Sequence, residues 1–187
     1  MYSIVTTPNK ILLSTAKPVI NFDKKLKNIL TGMAETLIST SNPIGVGLAA
    51  PQVGLSLRIF QIKPTEKSNV TSFINPVIES VSSEEEIPHF INSKKIESHK
   101  PESSRNKLLE GCLSLPNIWG NVTRKKELSL SWQDEKGNKL KQTFTGFPAI
   151  IIQHEVDHLN GILFTKHVIS QKEKLFKSHK DEKGEDV

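Results

Sequence analysis

The chain has 187 residues, of which 36% are hydrophobic and 24% are charged, so it can bury one sizeable core and has the ordinary composition of a globular protein. The formal net charge is +5, but five of the lysines crowd residues 166–180 and acidic residues follow them, which disfavours sequence-specific nucleic-acid binding. Since no apolar run reaches about 18 residues, a membrane-spanning helix is excluded. A single cysteine excludes an intramolecular disulfide.

The first predicted element is an amphipathic helix over residues 24–39. Asn21 and Asp23 precede it and suit its N-terminus, and Ser41-Asn42-Pro43 predicts its end. The apolar residues that recur there at helical spacing are Leu26, Ile29, Leu30, Met33, Leu37 and Ile38.

A small-residue segment follows the helix, with the sequence Gly45-Val46-Gly47-Leu48-Ala49-Ala50-Pro51-Gln52. Its two glycines and two alanines allow an extended peptide backbone to approach closely. The segment lacks the lysine and the glycine spacing of phosphate-binding loops, so a nucleotide site is disfavoured.

Strands are predicted at residues 57–62, 71–74, 77–81 and 128–132, with a hairpin turn at 134–138 that leads into a strand at 140–144. Residues 82–107 contain the acidic run Glu84-Glu85-Glu86 and scattered lysines and serines. This composition predicts an inserted, exposed surface loop. A lid or a partner-binding role is the alternative for that segment.

The only cysteine lies in the segment Glu110-Gly111-Cys112-Leu113-Ser114-Leu115-Pro116. A free cysteine is most often a small buried hydrophobic residue. Cys112 follows a glycine in a polar turn, however, and a thiolate is a good ligand for a transition metal. Both interpretations stand on the residues alone.

The last long element is a helix that is predicted to start near Pro148 and to stop at Gly161. It carries Gln153-His154-Glu155-Val156-Asp157-His158, in which two histidines four residues apart share one helix face. Both imidazoles can therefore bind one cation, while the carboxylate about 100° away reaches its water. The alternative is a surface helix, which the surrounding isoleucines disfavour.

A catalytic metal site of this kind usually has a third protein ligand. The metzincin proteases place a third histidine downstream, where this chain has Phe164. A thermolysin-like enzyme uses a glutamate about twenty residues downstream, and the nearest candidate, Glu173, lies in a lysine-rich segment that is typical of a solvated face. Both protease classes are therefore disfavoured.

Three motifs of this chain together resemble those of the peptide deformylases, in the order found in that family. They are residues 45–52, residues 110–114 and residues 153–158, and the resemblance spans residues 4–170. It implies a metal-dependent hydrolase that removes the N-formyl group from formylmethionyl nascent peptides and releases formate. Two alternatives remain open, namely a metallopeptidase that uses the same histidines and a non-catalytic peptide-binding relative.

The resemblance implies that Cys112, His154 and His158 hold one divalent metal per chain. Iron(II) is the expected metal in the cell, and zinc or nickel can occupy the same ligands. Such a metal lowers the pKa of a bound water to about 7.

The resemblance also implies the catalytic and substrate-binding residues. Glu155 would be the general base, and the Gln52 amide and the Leu113 backbone N–H would stabilise the oxyanion. Val46, Gly47 and Gly111 would contact the peptide. The apolar residues expected to line the methionine pocket, or to form ordinary helix core, are Phe147, Ile150 and Ile151.

We therefore predict an α+β fold, a single domain over residues 1–187, with antiparallel or mixed β-sheets around a central metal-binding helix and with helices near both termini. Residues 168–187 are predicted to form a basic C-terminal helix or tail, which either contacts ribosomal RNA weakly or is simply solvated. Many relatives carry a basic or different residue where this chain has Trp119, and Trp119 is expected to change the peptide preference beyond the methionine. The expected location is the cytoplasm, with no signal peptide.

Overall fold

The computed structural model describes residues 1–41, 43–86 and 109–178. Within these ranges it contains three α-helices, α1 (Lys24–Ser39), α2 (Gly146–Leu159) and α3 (Phe164–Ser170), and two 3-10 helices, Lys10–Leu13 and Ala50–Val53. The strands of the described residues, in chain order, are β1 (Gly47–Ala49), β2 (Ile59–Ile62), β3 (Thr71–Val81), β4 (Glu85–Glu86), β5 (Glu110–Cys112), β6 (Leu115–Gly120), β7 (Arg124–Lys125), β8 (Glu127–Gln133), β9 (Lys139–Thr145) and β10 (Leu175–Lys177).

The largest layer is a five-stranded antiparallel sheet with the order β1-β2-β3-β8-β9. Helix α2 packs against β1, β2 and β9. The core between them is aromatic, with the Phe60 and Phe73 rings stacked at 4.7 Å and Trp132 tilted at 5.0 Å from Phe73. The predicted α+β fold with a central helix is confirmed.

Helix α1 forms where the apolar spacing predicted it. The Asp23 side chain accepts a hydrogen bond from the Leu26 backbone N–H and caps the N-terminus. Its buried apolar residues form a second core with Leu48 of β1, Ile59 of β2 and Ile74 of β3. Ile38 was assigned to the apolar face, but it is 61% exposed because it lies about 100° beyond Leu37, on the solvent side.

The strands predicted at 71–74 and 77–81 are one strand, β3, with an irregularity between Ile74 and Val77. Asn75 adopts a positive φ of 51° there. Its side-chain Oδ1 accepts a hydrogen bond from the Val19 backbone N–H, and its Nδ2 donates to the Val19 carbonyl and to Gln133 Oε1, each at 2.8 Å. These side-chain bonds hold the strand together across a position where Pro76 cannot donate to the ladder.

Two small sheets adjoin the large one, β10-β6-β5 and β4-β7. The loop predicted for residues 82–107 is wrong at Glu85–Glu86, which pair with Arg124–Lys125 as β4, and residues 87–108 lie outside the described part. The helix or tail predicted for residues 168–187 is helical at residues 168–170, the end of α3, but the helix is wrong at Leu175–Lys177, which form β10 because they pair with Ile118–Gly120. Residues 179–187 also lie outside the described part.

Helix α2 begins two residues before Pro148 and ends at Leu159, close to the predicted bounds. Gly161 takes a positive φ of 70°, and a Cβ there would lie 2.7 Å from the Leu13 backbone, so glycine is required at this stop. Within the described ranges, no helix combines the length and the apolarity needed to cross a bilayer.

Candidate metal centre

Two elements that are distant in the sequence meet where the motifs converge. Cys112 ends β5, and His154 and His158 project from the same face of α2. Cys112 Sγ lies 3.2 Å from His158 Nε2, and the ligand atoms of the three residues all lie within 4.8 Å of one another. The Ser114 backbone N–H donates to Cys112 Sγ at 3.4 Å and holds the thiol in the turn after β5.

This group fits a divalent transition metal. Metal–sulfur and metal–nitrogen bonds of about 2.3 and 2.1 Å in a tetrahedral site place sulfur and nitrogen ligands about 3.5 Å apart, close to the spacing seen here. A soft thiolate with two imidazoles suits iron, zinc or nickel. Burial lowers the pKa of His158 well below its usual range, so this imidazole is neutral, as a ligand must be.

His154 is oriented by a carboxylate. Glu110 Oε1 lies 2.6 Å from His154 Nδ1, which leaves Nε2 of that ring to face Cys112. Burial alone would raise the pKa of Glu110, but Arg124 and His154 lower it to about 2, so the group is a carboxylate. No role was predicted for Glu110 from its sequence position, although it stands in the cysteine motif.

Arg124 was also missed. Its guanidinium forks onto both oxygens of Glu110, at 3.1 and 2.6 Å, and its third contact is Asp157 Oδ2 at 2.6 Å. The side chain is only 4% exposed. In the sequence it opens the run Arg124-Lys125-Lys126, which is typical of a solvated face, so only the three-dimensional structure distinguishes it from its neighbours.

Glu155 lies beside the three ligands and is 3% exposed. Burial raises its pKa to about 7, against the opposing effect of His154. Among the described residues, three buried polar atoms of this site have no hydrogen-bond partner: Glu155 Oε2, His158 Nδ1 and Ser114 Oγ. Such atoms are rare in proteins and indicate that the site takes a further group.

Gln52 reaches the same centre from the second 3-10 helix. Its Oε1 accepts from the Ala49 N–H at 2.8 Å, so its Nε2 is directed at Cys112 Sγ, 3.5 Å away. The side chain is 1% exposed. Leu113 directly follows the cysteine and packs against the second core. The structure thus brings together the residues predicted for catalysis and for metal binding.

The predicted substrate residues divide into two groups. Val46 and Gly47 lie at β1, and Gly111 lies on β5, and both strands are the outer strands of their sheets. On α2, Ile151 belongs to the main core and Phe147 packs against it. Ile150 is buried but is not a member of the three core clusters of the described residues.

The two positions at which the protease classes carry their third ligand have other contacts here. Phe164 is buried in a small core with Cys112, and its ring lies 6.2 Å from that of His154. Glu173 accepts a hydrogen bond from Asn121 Nδ2 at 3.4 Å. Trp119 packs its indole against the α-carbon of Gly111, directly across the β5 and β6 pair, and donates to Ser178 Oγ at 3.3 Å.

Gly47 to alanine is expected to reduce turnover. A Cβ at this position would overlap the Glu155 carboxylate and lie 2.9 Å from Ile151 Cγ2, so the carboxylate must move. On the general-base role that the resemblance implies for Glu155, a displacement of about 1 Å can cost about 100-fold in rate, so we expect a loss of that order in kcat. The measurement is steady-state kinetics with metal content determined alongside, and normal turnover in a folded variant would show that Glu155 tolerates the shift.

Comparisons with known proteins bear on this centre. A family model described as polypeptide deformylase matches residues 1–174. The chain is 36% identical over 165 residues to peptide deformylase 1 of Bacillus cereus, covering 88% of this chain and 90% of the relative. It is 36% identical over 182 residues to the peptide deformylase of Borreliella burgdorferi, covering 97% and 96%.

Solved structures agree in fold. The crystal structure of the peptide deformylase from Thermotoga maritima matches with a TM-score of 0.73 at 34% identity and covers 89% of this chain and 97% of its own. A peptide deformylase structure from Plasmodium falciparum matches with a TM-score of 0.74 at 34% identity and covers 91% and 90%.

Proposed function

This chain belongs to the polypeptide deformylase family, enzymes that remove the N-formyl group from nascent peptides, and on that premise we propose a role for each residue of the metal centre. The convergence of a buried, unpaired Glu155 carboxylate on three metal-capable ligand atoms carries the proposal. Cys112, His154 and His158 hold one divalent metal, iron(II) in the cell, with zinc or nickel able to replace it. When bound, this metal polarises the formyl carbonyl and activates a water molecule.

Glu155 moves the proton. Its Oε2 has no hydrogen-bond partner among the described residues and is free to accept a proton from the attacking water and to pass it to the amide nitrogen. The bond between the formyl carbon and that nitrogen then breaks, so formate leaves and the peptide keeps a free amine. A pKa near 7 suits a group that both accepts and donates a proton at neutral pH.

Gln52 and Leu113 stabilise the negative charge that develops on the formyl oxygen. Because the Ala49 N–H occupies the acceptor end of the Gln52 amide, the donor end is held toward the centre. The Leu113 backbone N–H, next to Cys112, supplies the second donor. Donors that are already oriented need no rearrangement during the reaction.

The peptide extends along an open strand edge. Val46 and Gly47 at β1 pair with its backbone, and Gly111 on the outer strand β5 contacts the peptide from the other side. The methionine side chain occupies an apolar pocket lined by Phe147, Ile150 and Ile151. Formyl is preferred over acetyl because a small cavity admits a hydrogen where acetyl carries a methyl group.

Formate release tests the function. We would load the protein anaerobically with iron and supply formyl-Met-Ala-Ser, with acetyl-Met-Ala-Ser and unformylated Met-Ala-Ser as controls. Formate from the first peptide alone is the expected result. Cleavage of a peptide bond would instead support a metallopeptidase, and binding without any hydrolysis by the fully metallated protein would support a peptide-binding relative.

Gln52 to glutamate is expected to lower kcat about 100- to 1,000-fold. Glutamate keeps the acceptor for the Ala49 N–H and the shape of the side chain, but it loses the donor that faces Cys112. Formate release and metal content are measured together. An unchanged kcat at full metal occupancy would remove Gln52 from the oxyanion site.

The basic end of the chain is proposed to touch the ribosome weakly, in the cytoplasm, where formylated nascent chains are made. Exposed lysines on α3 and near β10 support an electrostatic contact with RNA: Lys166, Lys172, Lys174 and Lys177. Reversing the charges of Lys172, Lys174 and Lys177 should abolish co-sedimentation of the protein with ribosomes at low salt. The matched control reverses three exposed lysines of the β8 and β9 hairpin, Lys136, Lys139 and Lys141, and equal loss there would indicate only a non-specific charge effect.

A further inference from the structure

Five charged or titratable side chains form one continuous chain that begins at a metal ligand and ends near the surface. His154 bonds Glu110, Glu110 pairs with Arg124, Arg124 pairs with Asp157, and Asp157 Oδ2 lies 2.8 Å from His167 Nε2. Arg124 stands at the centre, and each of its two carboxylates also holds one histidine. Arg124 and Asp157 bear on no step of the reaction described above.

These pairs join the two elements that supply the ligands. Glu110 and Cys112 are two residues apart on β5 and therefore lie on the same side of that strand. Asp157 lies on α2, between His154 and His158. Arg124, from β7, bonds both Glu110 and Asp157, so it ties the strand that carries the thiol to the helix that carries the imidazoles.

The geometry of Arg124 suits positioning better than it suits general stabilisation. A buried ion pair contributes little net stability because desolvation offsets the attraction. The guanidinium is planar, however, and its fork fixes the carboxylate plane of Glu110 in a way that a lysine cannot. Glu110 in turn sets the ring orientation of His154, since its Oε1 bonds Nδ1.

His167 is the last member of this chain of side chains, at its end nearest the surface. It lies on α3, is 32% exposed, and shares the Asp157 Oδ2 atom with Arg124. The imidazole therefore gives Asp157 Oδ2 a second contact besides the Arg124 guanidinium. Without it, Asp157 can rotate toward water, and Arg124 loses a fixed partner.

We propose that Arg124 and His167 are positioning residues of the metal centre. Through Glu110 and Asp157, they hold the His154 ring in the orientation in which it can bind one metal together with Cys112. This inference rests on the proposed function only in taking Cys112, His154 and His158 as the metal ligands. It concerns the geometry and the affinity of that site, and it does not depend on which bond the enzyme cleaves.

The test measures Co(II) alone, by competition with a chelator for its Kd and by its visible absorption spectrum, together with the melting temperature of the metal-free protein. Arg124→Lys keeps the charge and loses the fork, and we expect Kd to rise about 10- to 100-fold with a changed Co(II) spectrum. His167→Phe keeps the ring and loses the bond to Asp157, and a rise of up to about 10-fold is expected. His167→Gln, which restores a donor, should return Kd toward wild type.

Lys125→Met is the matched control. Lys125 neighbours Arg124 on β7, and its ammonium makes an ion pair with Glu85 at 2.7 Å on the exposed side. We expect no change in Kd or spectrum from this variant. If Kd and spectrum are unchanged in a folded His167→Phe protein, or if only the melting temperature falls, His167 is a structural residue and the inference is overturned.

Formate release by the wild-type protein, assayed alongside, separates this inference from the proposed function. Altered Co(II) binding in the variants of a wild type that releases no formate would leave the positioning role intact and remove the function. Formate release by the wild type, with unaltered Co(II) binding in Arg124→Lys and His167→Phe, would support the function and overturn the positioning role.

Discussion

Replacing Glu155 by glutamine is expected to lower kcat for formate release by a factor of about 100 to 10,000 while about one metal per chain is retained. The amide has the shape of the carboxylate but cannot take a proton from water. Glu155 is not one of the three converging ligands, so metal content should not change.

The variant should also fold. Because burial raises the pKa of Glu155, its ionised form disfavours the folded state at pH values above the usual carboxyl pKa, and a neutral amide removes that cost. We therefore expect a melting temperature no lower than that of the wild type at pH 8. Turnover near the wild-type rate in a metallated Glu155→Gln protein would exclude Glu155 as the general base.

Replacing Cys112 by serine is expected to remove metal and activity together. The thiolate is the only anionic member of the three-ligand group, and sulfur is the soft donor that favours iron, zinc and nickel. A serine hydroxyl is neutral at pH 7, and its C–O bond is shorter than the C–S bond that it replaces. We expect metal content after dialysis to fall well below one per chain, with formate release lost in proportion.

The two variants act as controls for each other, since Glu155→Gln should lose only turnover. Cys112→Ser also separates the deformylase from a metallopeptidase that lacks a cysteine ligand, because such a peptidase would keep its metal. Full metal retention in Cys112→Ser would therefore contradict the proposed ligand set. Adding excess iron should restore little activity if the ligand itself has been lost.

Several features of the fold were predictable because they depend on local spacing. The apolar repeat of α1 and the Asp23 cap lie within one segment, and so does the pair of histidines on α2. The predicted turn at residues 134–138 is also confirmed, and in it the Asp134 side chain accepts hydrogen bonds from the backbone N–H groups of Lys136 and Asn138. Each of these elements is formed by residues a few positions apart.

Other elements could not be predicted for the opposite reason. Strands β4, β7 and β10 have two or three residues, too few for an alternating pattern, and they exist only through pairing with distant segments. The continuity of β3 likewise depends on bonds from Asn75 to Val19 and Gln133, more than 50 positions away.

The sequence by itself determined the chemistry available to the site, namely one thiol, two imidazoles on one helix face, one carboxylate between them and a glycine-rich segment with a terminal amide. The tertiary structure alone decided which of them meet. Gln52 and Cys112 are 60 residues apart, and Cys112 and His158 are 46 apart. It also decided that Arg124 is buried between two carboxylates while its lysine neighbours remain at the surface. Proximity and burial arise from sheet pairing and core packing between remote segments, and no local pattern in the chain encodes them.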